Sequence, residues 1–385
     1  MSGDPTGPLA GLKVVELAGI GPGPYAAMLL ADLGAEVVGV DRPSQAPGVG
    51  APVIGRGRRS VVLDLKQPGG VDALLAMIDR ADVLIEPYRP GVAERLGIGP
   101  EVCLARNPRL IYGRMTGWGQ EGPWAGMAGH DIGYIAITGA LHAIGRAGGP
   151  PQPPVNLLGD FGGGTMFLLT GVLAALWERE RSGRGQAVDA AIVDGTASLT
   201  SFLFGMRAQG LWSDQRGTNL LDTGAPYYDV YETADGEWMA VGALEPQFFA
   251  ELIRLLELAD VPPQNDLARW PELRRLLADR FSERTRDEWA AVFAGTDACV
   301  APVLTFAEAQ QHPHLAARRT LTECDGVPQP APAPRFSRTP AQLAAAPAPA
   351  GAHTREVLTD WGIGNVEELL ASGAAVQTGE GGAGH

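Results

Sequence analysis

Between Lys13 and Val40 the chain runs through an apolar segment, a Gly/Pro turn, a stretch of helix formers and a second β-branched segment. Lys13–Leu17 (KVVEL) reads as a strand and Gly19–Pro24 (GIGPGP) as a turn. Tyr25–Leu33 (YAAMLLADL) reads as a helix closed at Gly34, and Glu36–Val40 (EVVGV) as a strand ending at Asp41-Arg42-Pro43. Two strands joined through one helix lie parallel, and strand twist makes the crossover right-handed. The pattern continues with strand Ser60–Leu65, helix Gly70–Arg80, strand Asp82–Ile85 and strand Leu110–Met115. These segments predict an α/β, Rossmann-like domain built on a doubly wound parallel sheet.

A chain of 385 residues has room for more than this domain. Gly164–Arg179 reads as a long apolar helix, followed by the strand-like QAVDAAIVDG. Beyond it, Trp238–Val241 follows an Asp235-Gly236 hairpin signal, and three amphipathic segments come next: Pro246–Ala259, Pro271–Phe281 and Arg286–Phe293. They predict a smaller α+β domain. Val327–Ala352 is rich in proline and alanine and reads as an extended strap, with two short helical patterns and a Gly-rich tail after it.

The net charge of −14 argues against a nucleic-acid surface and against an anionic membrane, since both reward basic faces. Cys103, Cys299 and Cys324 are scattered and offer neither a disulfide framework nor a metal site, as expected of a reducing compartment. The first residues lack the basic-then-apolar profile of a secretory signal, and Thr165–Trp177 is shorter than the roughly 20 residues a bilayer needs. A cytoplasmic location is the expectation.

Gly19, Gly21 and Gly23 after the first strand, with Asp41 ending the second, imitate a dinucleotide site. The spacing is G-x-G-x-G, however, and Pro22 and Pro24 remove N–H groups that a phosphate would need, so a tight strand-to-helix turn is the expectation. Arg42, Arg56, Arg58, Arg59, Lys66 and Arg89 fall in strand-end or loop contexts. Such a group suits either a phosphorylated ligand in the sheet's crevice or an ordinary solvated surface. His130 lies between glycine and an acid in AGHDIGY, Asp160 precedes three glycines in NLLGDFGGG, and Glu245 follows a strand in VGALEPQF. Each of these acids also reads as a helix N-cap.

Taken together, the blocks VDRP (40–43), RSVVLDLKQP (59–68), YRPG (88–91), GHDIGY (129–134), NLLGDFGGG (156–164), GAPYYDVYETADGE (224–237), VGALEPQF (241–248) and TDACVAPVL (296–304) make the chain resemble a known family. It is similar nearly end to end to the α-methylacyl-CoA racemases of the class III (family III) CoA-transferase superfamily. The resemblance implies His130 and Asp160 as the catalytic acid/base pair and Glu245 as the carboxylate that orients the histidine. It places Arg42, Leu63, Asp64, Leu65, Lys66, Arg89, Gly129, Asp131, Ile132, Gly133 and Tyr134 along the CoA thioester site. It also implies an interlocked homodimer, an acyl-CoA substrate, no cofactor and no metal. The implied organisation is a large domain over 1–200, a linker over 201–226 and a small domain over 227–310. A return strap covers 311–352, C-terminal helices over 353–375 rejoin the large domain, and 376–385 form a disordered tail.

The chemistry is consistent with those residue types. Racemisation α to a thioester removes a proton from one face and returns one to the other, so it uses two groups in opposite protonation states. Imidazole serves as one, a carboxyl kept protonated by burial as the other, and backbone N–H groups near His130 and Asp131 as the anion hole for the enolate oxygen. Three positions depart from the family pattern: Gly39 stands where arginine is usual, Gly133 where asparagine is, and Thr223 where glycine is. The competing readings are a CoA-transferase with Asp160 as nucleophile, and an idle acyl-CoA-binding homologue.

Overall fold

Runs of β-branched residues on both faces of a strand call for cover on both sides, and the computed structural model, which describes residues 6–43, 50–343 and 345–378, provides it. Among these residues the strands in chain order are β1 (Lys13–Leu17), β2 (Glu36–Asp41), β3 (Arg58–Leu63), β4 (Val83–Glu86), β5 (Ile111–Thr116), β6 (Gln186–Ala191), β7 (Tyr228–Glu232), β8 (Trp238–Gly242), β9 (Val300–Pro302), β10 (Leu321–Cys324), β11 (Val327–Pro330) and β12 (Ala375–Val376). The chain forms two compact units. The first comprises Met1–Thr138, Val155–Leu199 and Arg318–His385, and the second Gly139–Pro154 and Thr200–Ala317.

The first unit carries a seven-stranded sheet in the order β12-β3-β2-β1-β4-β5-β6, parallel except for β12. Alternation along the strands feeds two cores. Val14 and Ile85 pack with Leu30, Leu168 and Val172 on one face, while Val15 and Leu84 pack with Leu74, Tyr112 and Trp361 on the other. The Gly/Pro turn after β1 is closed by protein. A Cβ at Gly19 would lie 2.6 Å from the Pro87 ring, and Gly21 takes φ +73 as the residue before helix Pro22–Asp32. Asp41 accepts the Ser60 hydroxyl at 2.6 Å, so the dinucleotide-like features are structural.

The apolar helix is longer than its sequence suggests. A nine-residue π-helix, Leu157–Thr165, runs directly into helix Met166–Ser182, and the 26 residues together are long and apolar enough to cross a membrane. One face of it packs as a core element through Leu168, Leu169, Val172, Ala175 and Leu176. Its glycines admit a very close neighbour, since a Cβ on Gly195 of helix Ile192–Leu199 would sit 1.8 Å from the Gly163 carbonyl oxygen.

The C-terminal residues are built into the same unit. The Gly351 amide donates to the Ser60 hydroxyl at 2.8 Å, the Val62 amide to Thr354 Oγ1 at 3.1 Å, and β12 pairs antiparallel with β3. Val376, placed by the sequence in the tail, is therefore a strand residue, because the edge of β3 offers it backbone partners; 379–385 lie outside the described residues. The strap region holds the β10–β11 hairpin.

Arg56 anchors that hairpin. It is 2% exposed, pairs with buried Asp32 at 2.6 Å and donates to Gln329 Oε1 at 2.7 Å and the Pro330 carbonyl at 3.1 Å. Arg58 pairs with Glu16, and Arg59 with Glu36, Glu356 and Asp360. These three arginines are committed to the fold. At Gly39 a Cβ would meet Glu16 Oε2 at 3.8 Å and Arg58 Cδ at 3.9 Å, ordinary contact distances, so packing does not impose its departure from arginine.

In the second unit, β7, β8 and β9 form an antiparallel sheet with Gly236 (φ +77) in the β7–β8 turn. Helices Pro246–Leu255, Trp270–Phe281 and Arg286–Phe293 cover a core of Tyr227, Leu252, Phe281 and Trp289. The segment expected as a linker begins with a helix, Ser201–Ala208. Residues 139–154 belong to this unit through Arg146, which pairs with buried Asp229 at 2.6 Å, and Arg216, which donates to the His142 and Gly149 carbonyls. Thr223 takes φ +72, a left-handed conformation that a β-branched residue adopts only under strain, with Arg274 holding its carbonyl at 2.6 Å.

Two outcomes are expected in denaturant unfolding. Arg56→Ala leaves Asp32 buried without its counter-charge and loses about 3–5 kcal/mol. Thr223→Gly relieves the strained φ and gains about 1 kcal/mol. An Arg56→Ala chain as stable as the parent would remove the ion pair from the set of structural supports, and an unimproved Thr223→Gly chain would show that Arg274 already offsets the strain.

Candidate active site

A parallel sheet sends the carboxyl ends of its strands to one edge, and there the order 3-2-1-4-5-6 changes direction between β1 and β4. Arg42 follows β2, Asp64–Lys66 follow β3, Arg89 follows β4, and the loop ending at His130 follows β5. Arg42, Lys66 and Arg89 are exposed and form no ion pair among the described residues, in contrast to Arg56, Arg58 and Arg59. The expected cluster of six cations thus divides into three structural residues and three available to a ligand.

The three have different surroundings. The Arg42 guanidinium lies over the Tyr88 ring, 5.5 Å from its centroid. Asp64 accepts the Lys66 amide and the Gln67 side chain, both at 3.0 Å, which shapes the turn and holds its carboxyl below the usual range. Leu63 is buried in the core and Leu65 packs against it, so their side chains serve the sheet. Three residues before Arg89 in the chain, the fully buried Glu86 accepts the Tyr88 amide and faces Arg114 at 3.2 Å; Arg114 also pairs with Glu94 at 2.9 Å. Burial pushes the Glu86 carboxyl up to about 7 despite that guanidinium.

His130 is exposed and precedes helix Asp131–Ile137; its carbonyl accepts the amides of Gly133 at 2.8 Å and Tyr134 at 3.3 Å. Tyr134 packs edge-on to Trp118, with ring centroids 4.7 Å apart, and its ring leaves no room for a Cβ at Gly117 or Gly129. Ile132 is half exposed. Gly133 has space beside it, since a Cβ would meet only the Trp118 ring at 3.9 Å, so its departure from asparagine is not imposed by packing.

Asp160 lies inside the π-helix and not at an N-cap. Its carboxyl accepts the Asn156 side-chain amide at 3.3 Å and faces Gly21, where a Cβ would come within 3.3 Å of Oδ2. Burial raises its proton affinity and the Asp131 charge adds to that, while the Asn156 bond and the His130 charge oppose it. His130, Asp131, Tyr134 and Asp160 thus converge in the first unit. Glu245 belongs to the second, where it follows β8, is exposed and precedes helix Pro246–Leu255 without capping it. Asn156 and Glu86 are given no role by the family resemblance, and Asp131 is placed by it only along the CoA site. For Asn156 a signal existed in its place one helical turn before Asp160.

Glu86 produces a pH signature. Between the ordinary carboxyl value of 4.5 and about 7 the folded chain binds more protons at this site than the unfolded chain. Its contribution to stability is complete below that window and declines as pH rises through it, by about 3 kcal/mol. Glu86→Gln removes the titration, so the parent-minus-variant difference in unfolding free energy should fall by that amount from the low-pH to the high-pH side of the window. A flat difference would place the Glu86 titration outside the window.

Residues 9–354 match the family described as CoA-transferase family III. The chain is 51% identical over 366 residues to the alpha-methylacyl-CoA racemase of Mus musculus, covering 94% of this chain and 95% of that protein. It is 49% identical over 363 residues to the alpha-methylacyl-CoA racemase of Homo sapiens, covering 93% and 94%. A solved CAIB/BAIF family protein from Brucella suis superposes with a TM-score of 0.81 at 27% identity, over 92% of this chain and 100% of its own. The match over residues 9–354, together with about half identity to the two racemases over most of the chain, places this chain in CoA-transferase family III.

Proposed function

We propose that this chain interconverts the epimers of 2-methylacyl-CoA thioesters by 1,1-proton transfer. The observation that carries the reading is the half-buried Asp160 carboxyl, with its raised proton affinity, in electrostatic reach of His130 above the carboxyl edge of the sheet. The high identity to proteins named alpha-methylacyl-CoA racemase supports it.

In one direction neutral His130 removes the α-proton, the electrons pass to the thioester carbonyl as an enolate, and protonated Asp160 delivers a proton to the opposite face. In the other direction the two exchange roles. The Asp131 backbone N–H, in the open first turn of its helix, is the donor assigned to the enolate oxygen. Arg42, Lys66 and Arg89 take the CoA phosphates, so the acidic charge of the whole chain coexists with a local basic edge. The thioester itself acidifies the α-carbon, and no cofactor enters the scheme. In this reading two chains form an interlocked homodimer in which Glu245 of one orients His130 of the other.

A single epimer incubated in deuterated water should yield both epimers with deuterium at the α-carbon. His130→Ala and Asp160→Ala should each lower epimerisation by at least about 100-fold, the usual contribution of a positioned acid or base. Acyl transfer to a free acid without α-deuteration would instead assign Asp160 as the nucleophile of a transferase, and an active variant would remove that residue from the mechanism.

A further inference from the structure

A π-helix opens with unpaired amides, because each N–H reaches back five residues for its acceptor. In Leu157–Thr165 such a bond runs from the Phe161 amide to the Asn156 carbonyl at 3.4 Å. Asn156 stands in the capping position, yet its side chain makes no capping bond and is spent on the Asp160 carboxyl. The cap comes from a different element. Asp131 Oδ1 accepts the Asp160 amide at 2.6 Å, and the neighbouring Gly159 amide also favours the charge of that carboxylate.

Asp131 is 7% exposed, and its second oxygen, Oδ2, is buried without a hydrogen-bond partner among the described residues. A buried carboxylate satisfied on one side only is unfavourable for a turn that asparagine could cap locally. The arrangement is understandable where the local asparagine is needed elsewhere. The fit is also tight: a Cβ at Gly159 would lie 2.3 Å from Asp131 Oδ1 and 2.9 Å from Ile135 Cγ2. Asp131 is moreover the first residue of the helix that His130 precedes, so one side chain grips the turn carrying Asp160 from a point one peptide bond away from His130.

We propose that Asp131 is a positioning residue for proton transfer, its carboxylate capping the π-helix so that His130 and Asp160 are held at a fixed separation. This rests on the roles given to His130 and Asp160 above. The charge has a second effect on the same pair. The titratable groups in electrostatic contact with Asp160 are Asp131, His130 and Tyr134, and of these Asp131 favours the protonated carboxyl. Removing its charge therefore moves the Asp160 titration to lower pH.

The test compares the full-length parent with D131N and D131A by α-deuterium incorporation from each epimer over a range of pH, and by amide hydrogen exchange across 157–165. D131A should lose about 100-fold in kcat, the scale of an ångström-sized misplacement, with KM for the acyl-CoA changed far less. D131N keeps an acceptor oxygen, so it should retain more activity, with the Asp160 limb of the pH profile displaced to lower pH. The Gly159 and Asp160 amides should exchange faster in D131A. Unchanged kcat and pH profile in both variants would overturn the proposal. So would lost activity with unchanged protection of those two amides, since Asp131 would then act on the substrate directly. Inactive parent protein would defeat the assignment of the reaction, whereas the amide exchange still reads the cap by itself.

Discussion

A parallel sheet covered on both faces can receive a polar ligand only at its ends, because both sides are filled with apolar side chains. In the first unit, helices and the C-terminal segment occupy the two faces, leaving the carboxyl edge as the place where Arg42, Lys66, Arg89 and the His130 loop can gather. The same constraint explains why other polar residues of the strands are internally paired. Glu16 meets Arg58, Asp41 meets Ser60 and Glu86 meets Arg114, each bond satisfying a group that the sheet has taken out of water.

Above that edge, geometry depends on a few very close approaches that only glycine allows. The π-helix and helix Ile192–Leu199 meet at Gly163 and Gly195, the Asp131 cap fits over Gly159, and the Tyr134 ring lies against Gly117 and Gly129. These contacts give the turn around Asp160 a shape that an ordinary α-helix would not provide. They also account for the Gly-rich look of NLLGDFGGG.

Several of these features were legible in the chain itself. The β1–helix–β2 unit, the Asp235-Gly236 hairpin and the three helices of the second unit follow from periodicity and turn chemistry. Charge was harder to read. Six cations at strand ends look alike in sequence, yet Arg56, Arg58 and Arg59 face carboxylates brought near by other strands and helices, while the remaining three form no ion pair among the described residues. The strand at Ala375–Val376 was likewise hidden, because two residues have no propensity signal and acquire structure only from the open edge of β3.

Local order therefore came from the sequence, since backbone sterics and the alternation of apolar residues act over a few positions. Residue types and family blocks also singled out His130, Asp160 and Glu245. What the tertiary structure alone decided was which groups share an environment: that Asp160 stands inside a π-helix, that its cap comes from Asp131, and that Asn156 is turned onto its carboxyl. Proton affinity depends on burial and neighbouring charge, and both are set by packing between segments distant along the chain.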